Sequence, residues 1–119
     1  NASVYSSDIL VTDWSGIGIE FGFATLKPVV FVNTKIKMEN PNYENIGLVP
    51  QEVRLRNVLG LALDKEELSE KFAPTVKKLL EDKSFGEAAA KERNEYFYNF
   101  GSGGVVGAKY IVSRLVNKK

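Results

Sequence analysis

Ser7 to Thr34 reads S-D-I-L-V-T-D-W-S-G-I-G-I-E-F-G-F-A-T-L-K-P-V-V-F-V-N-T, and its order of apolar runs and small polar residues decides the fold. Ile9 to Thr12 is a β-branched-rich run of buried-strand length, and Asp13-Trp14-Ser15-Gly16 is a tight polar turn. Gly16 to Leu26 has the length of a helix, which Lys27-Pro28 stops. Val29-Val30-Phe31-Val32 is a second buried strand. Strand, crossover helix and strand in such close succession make a βαβ unit with parallel strands. In open parallel sheets ligands bind outside the carboxyl ends of the strands. Asp13 to Gly16 falls at that end of the first strand, and Asn33 to Lys37 at that end of the second.

Outward from this unit the chain is less regular. Ser3 to Ser7 reads as a helix tail or loop. The crossover helix is apolar on more than one face (Ile17, Ile19, Phe21, Phe23, Ala24, Leu26), as a helix buried on several sides is. Asn33 to Pro50 is a long irregular loop with turn chemistry at Asn40-Pro41-Asn42-Tyr43 and Asn45-Ile46-Gly47. Pro50 to Asn57 opens a short helix with Pro50 at its first position. Val58 to Leu63 fits either a third strand or a buried turn. Asp64-Lys65-Glu66-Glu67 is a capping-box start, and Pro74 is expected to break or kink the helix that follows to Asp82. Ser84 is expected to cap a helix over Phe85 to Tyr96. After the aromatic Tyr96-Phe97-Tyr98-Asn99-Phe100 and the turn Gly101 to Gly104, Val105 to Val116 is an amphipathic helix with Val106, Tyr110, Ile111 and Leu115 as its apolar side. Lys118-Lys119 suits the negative end of that helix.

The 119 residues are enough for one domain with a modest core. A net charge of +1 argues against a dedicated nucleic-acid binder. No apolar run reaches the roughly 20 residues of a membrane-spanning helix. The chain has no Cys and no His, which removes disulfides, thiolate chemistry and the usual zinc sites, and is compatible with a reducing compartment. Any histidine base needed for catalysis therefore lies outside these residues. Asn1-Ala2 looks like an expression scar. Two parallel strands make a poor independent sheet, so residues 1–119 read as a single fragment of a larger α/β protein. A complete small α-rich domain is the alternative.

The Asp13 loop is the first candidate for chemistry. The Ser15 hydroxyl and the amides of Gly16 to Gly18 would face out from a helix N-terminus, a ready place for a phosphate or pyrophosphate. Gly16-Ile17-Gly18 lets a ligand approach the backbone, although the dinucleotide fingerprint G-x-G-x-x-G is not met. The plainer alternative is that Asp13 or Ser15 simply caps the helix. Glu20, four residues after Gly16, shares its face and can accept both hydroxyls of a ribose; an exposed carboxylate near the helix dipole is equally compatible. Asn33, Thr34 and Lys35 stand at the end of the second strand, against the alternative of a solvated turn. Arg54 and Arg56 point to different sides of a helix and are read as surface or domain-interface residues. Ser102, in Phe100 to Gly104, marks a second possible anion site, with a plain helix-joining loop as the stronger reading.

At these residues the sequence resembles the C-terminal, donor-binding domain of GT-B-fold transferases, and most of all the CDP-glycerol glycerophosphotransferase family of teichoic-acid and capsule polymerases. That family's pattern runs S-D-x-L-I-T-D-Y-S-S, an acidic residue in the helix, then K-P-I-I-F. Here Trp14 replaces Tyr and Gly16 replaces the second Ser. The tail N-E-Y-F-Y-N-F-G-S-G-G-V-V-G-A-K-Y-I, residues 94–111, is similar to the family's ending. The resemblance implies an α/β, partial Rossmann-like fold with a short parallel sheet and several helices. It implies donor-phosphate contacts by Asp13, Ser15 and Gly16 and a ribose contact by Glu20. Catalytic histidines would be supplied from elsewhere in the parent. No cofactor or metal is expected, only a nucleotide-linked donor such as CDP-glycerol. The expected setting is cytoplasmic, with the parent peripheral on the inner face of the membrane. The expected partners are the missing N-terminal part of the same protein and a second copy joined through an exposed sheet edge. UDP-sugar glycosyltransferases and 2-epimerases share similar elements, and a non-catalytic interaction domain is the rival from a different class.

Overall fold

Three parallel strands carry the fold, in the order β1 (Leu10–Thr12), β2 (Val29–Asn33), β3 (Gly60–Asp64). The computed structural model describes residues 2–36 and 40–116. Asn1, Lys37 and Lys118-Lys119, which figure in the sequence reading, lie outside them. The described residues also form α1 (Ala2–Ser6), α2 (Ile17–Thr25), α3 (Gln51–Leu59), α4 (Leu68–Glu81), α5 (Ser84–Tyr96) and α6 (Gly103–Val116). Short 3-10 turns occupy Tyr43–Ile46 in the long loop and Lys65–Glu67 before α4.

The predicted βαβ unit is present as β1-α2-β2, with Leu10 opposite Val29 and Thr12 opposite Phe31. β2 is the central strand, and its alternating side chains serve two layers. Val29 and Phe31 face one side, where they join Phe21 and Phe23 of α2, Leu55 and Leu59 of α3 and Ala89 of α5. Val30 faces the other side with Leu63 and Leu79, so α4 covers that face. The sheet is thus buried on both faces, which explains why β2 reads as a continuous apolar run.

The ambiguous Val58 to Leu63 resolves into the end of α3 joined directly to β3. Gly60 makes this join possible, because a Cβ there would lie 1.7 Å from the Val29 carbonyl oxygen. Pro74 does not break its helix: α4 runs unbroken from Leu68 to Glu81. Pro74 is exposed, so the carbonyl it leaves without an amide partner can turn to water. Pro50 stands one residue earlier than expected, ahead of α3, and its carbonyl accepts the Val53 and Arg54 amides. Ser84 is not a cap. Its own amide donates to Asp82 Oδ1 at 2.9 Å, and it forms the first residue of α5.

The capping box at Asp64 and Glu67 is present as expected. α6 stands apart, with every one of its residues exposed. The radius of gyration is accordingly 18.0 Å, against about 13–14 Å for a compact chain of this length.

Candidate functional site

At the carboxyl ends of β1 and β2 the chain turns twice, and the two turns are tied together. After β1, the Asp13 carboxylate accepts the Ser15 amide at 2.9 Å and closes the loop on itself. Trp14 reaches across and donates its indole N–H to the Thr34 carbonyl at 2.9 Å. Gly16 stands at the head of α2 with helical torsions (φ −58°, ψ −21°) and no side-chain cap. The Ile19 and Glu20 amides are satisfied by the Gly16 carbonyl, and the Gly18 amide by Ser15. No residue of this loop caps α2 with its side chain, so neither Asp13 nor Ser15 is a helix cap, and the Asp13 carboxylate serves the loop itself.

Between the two turns and α3 lies a cleft of about 500 Å³, lined by Asp13, Trp14, Ser15, Thr34, Lys35, Pro50 and Glu52 among others. A smaller cleft of about 300 Å³ runs on from Glu52 along Ile19, Phe23, Leu55, Tyr96 and Phe97.

The structure therefore brings Asp13, Ser15, Thr34 and Lys35 to one place. Gly16 is beside them, with open space where a side chain would stand. Gly18 has a different role. A Cβ there would meet Phe31 at 2.7 Å and Thr12 at 2.9 Å, so this glycine lets α2 lie close on the sheet rather than admitting a ligand. Glu20 is exposed in the first turn of α2 and does not line the cleft. Asn33 is engaged within the sheet, its Nδ2 donating to Asp64 Oδ1 at 2.7 Å. Ser102 donates to the Asn99 carbonyl at 3.3 Å in the turn before α6, away from the cleft lining.

Arg54 and Arg56 do point to different sides of α3, but only Arg54 fits the surface reading. It pairs with Glu92 and lies 5.0 Å from the Tyr96 ring. Arg56 is 5% exposed. Its guanidinium lies 3.6 Å from the Trp14 ring centroid and 5.0 Å from that of Phe31. Nη2 donates to the Val32 carbonyl at 3.3 Å, and Nε has no partner. Burial pushes this group below the usual arginine value, and the nearby Asp13 charge opposes the shift. The available signal was position: Arg56 precedes the fully buried Leu59 by three residues and so shares its face.

Among the described residues no cluster of three or more carboxylates or other metal-ligating side chains occurs. None of their helices is long and apolar enough to cross a membrane. Comparison of the chain with protein-family models, with curated proteins and with solved structures gives no match.

Proposed function

We propose that this chain is the donor-nucleotide-binding C-terminal part of a GT-B-type transferase. The parent moves glycerol phosphate, or a related unit, from a CDP-linked donor to a cell-envelope polymer. The observation that carries this reading is the Asp13 to Gly16 loop. It stands at the carboxyl ends of parallel strands and opens into a cleft at an α2 N-terminus that no side chain caps. Anionic groups are favoured there by the helix dipole and the free end of the helix. Ser15 offers a hydroxyl, and Gly16 leaves room for a phosphate to approach its backbone.

In the proposed reaction an acceptor hydroxyl, deprotonated by a base from elsewhere in the parent, attacks the donor phosphorus. The new P–O bond forms as the bond to the leaving nucleotide breaks. This chain's part is to position the donor and to stabilise the charge that develops on the nucleotide. Glu20, one turn along α2, is assigned to the ribose. Its exposure leaves it free to accept hydroxyls. The setting is cytoplasmic, at the inner face of the membrane. β1 and β3 are both edge strands, which supports pairing with further strands of the parent or with a second copy.

The test is an amide NMR titration with CDP, UDP and inorganic phosphate. Shifts centred on residues 13–20 and larger for CDP support this reading. Larger shifts with UDP move the assignment to UDP-sugar enzymes. Unchanged spectra with all three, together with no effect of Ser15→Ala or Glu20→Gln on nucleotide binding by the full-length parent, leave an interaction domain.

A further inference from the structure

Four arginines are present in the chain, and one of them, Arg56, is buried with no ion pair among the described residues. Arg54 has Glu92. Arg93 is only half-buried, donates to the Phe23 carbonyl at 2.9 Å and lies against Phe100, and its Nε, like that of Arg56, has no partner among the described residues. Arg114 reaches the Tyr110 hydroxyl at 3.2 Å on exposed α6. Among the described residues Arg56 forms no salt bridge within 4.0 Å, although five N–H groups are available on a guanidinium. Among the described residues its partners are a backbone carbonyl, through one long hydrogen bond, and the faces of two aromatic rings. A buried cation in that condition is costly unless something completes its surroundings.

What separates Arg56 from the cleft is the Trp14 indole, which stacks on the guanidinium and itself lines the cleft. One hydrogen bond, to the Thr34 carbonyl, holds the indole in place. We propose that Arg56 is the concealed phosphate-binding residue of the cleft and that Trp14 is a door over it. A phosphate-bearing ligand at Ser15 and Gly16 displaces the indole from Thr34 and takes the guanidinium as its counter-charge.

The exchange is favourable in kind. One neutral hydrogen bond and the stack of the indole on the guanidinium are given up, and charge-assisted, fork-shaped contacts between Arg and phosphate are gained. It also answers the charge problem of the cleft, where Asp13 and Glu52 would otherwise repel an anion and Lys35 is the cation in the lining. The Asp13 carboxylate is held on the Ser15 amide. Arg56 adds the positive charge on the side where the phosphate would lie. This inference rests on the nucleotide-donor reading above.

Trp14 is the only tryptophan in the chain, so its emission reports the door directly. The probe is inorganic pyrophosphate, which does not absorb in the near ultraviolet, titrated at constant ionic strength. The expected result is a saturable red shift of Trp14 emission and increased acrylamide quenching, with binding confirmed by calorimetry. Arg56→Met, checked for folding by circular dichroism, is expected to lose the shift and at least tenfold in affinity. Arg56→Lys, which keeps the charge without the fork, is expected to fall between. Should Arg56→Met fail to fold, quenching of wild-type Trp14 with and without pyrophosphate decides the point alone. Binding heat with unchanged Trp14 emission, and equal affinity in a folded Arg56→Met, overturns the door and leaves the donor-site reading standing. No heat and no emission change up to millimolar pyrophosphate overturns the door, and the donor-site reading is then decided by Ser15→Ala and Glu20→Gln in the full-length parent.

Discussion

Two glycines two residues apart at the head of α2 should respond very differently to the same change. At Gly18 an added methyl would lie 2.7 Å from the Phe31 ring edge and 2.9 Å from the Thr12 methyl. Ordinary carbon contacts are about 3.5–4.0 Å, so the ring or the helix must retreat by close to an ångström. Phe31 is 1% exposed and backed by Arg56 at 5.0 Å, which leaves the ring little room. Such overpacking typically costs about 1–3 kcal/mol. Replacing glycine in a helix returns at most about 1 kcal/mol. The clash wins, and Gly18→Ala should lose roughly 1–2 kcal/mol, or roughly 4–8 °C in Tm for a chain of this size. At Gly16 nothing lies within 4 Å of the added methyl and the torsions suit any residue. The entropic gain there is offset by the weaker standing of Ala at a helix head, so Gly16→Ala should stay within about 0.5 kcal/mol of wild type. Urea unfolding followed by far-ultraviolet circular dichroism measures both. A Gly18→Ala variant as stable as wild type would refute the close approach of α2 to the sheet.

Leu59 is fully buried between α2 and β2, so Leu59→Ala should cost about 2–5 kcal/mol, seen as a lower urea midpoint at unchanged slope. A loss under about 1 kcal/mol would contradict the packing described. The Glu67 carboxyl is held below its usual value of 4.5, first by the Lys71 ammonium and then by the Asp64 amide. A folded-state value depressed in this way contributes stability above about pH 4.5, which is lost as pH falls through the lowered value. Glu67→Gln should therefore flatten the fall in stability as pH drops below about 4.5; identical acid limbs in the two proteins would disprove the link. Ending the chain after Ser102 removes α6, which has no buried residue, and should change the unfolding free energy of the rest by less than about 0.5 kcal/mol. A cooperative loss of core signal in the shortened chain would show that α6 packs.

The βαβ unit was legible because each of its signals agreed: β-branched runs, a polar turn, and Lys27-Pro28 as a stop. β3 was not, because N-V-L-G-L-A-L carries the end of a helix into a strand with one glycine as the only punctuation. Pro74 misled for a physical reason: the penalty for proline inside a helix falls when the freed carbonyl faces water. In the cleft, Asp13, Ser15 and Thr34 could be placed from strand ends alone. Asn33 could not, since its pairing with Asp64 depends on the β2–β3 register. Arg56 escaped notice because its one signal, the apolar Leu59 three residues on, is matched by Val58 four residues after Arg54.

α6 has a further consequence. A helix of 14 residues that buries none of them is maintained mainly by its own backbone, and isolated helices of this length are marginal in water. Gly103, Gly104 and Gly107, with several valines, make this one weaker still. Its apolar side chains stand in solvent. The last part of the chain is thus a helix whose melting is uncoupled from that of the sheet. Its amides should exchange with solvent within the local limit set by fraying, orders of magnitude faster than those of β2. The described residues should thus show two transitions, one belonging to the core and one to α6 alone.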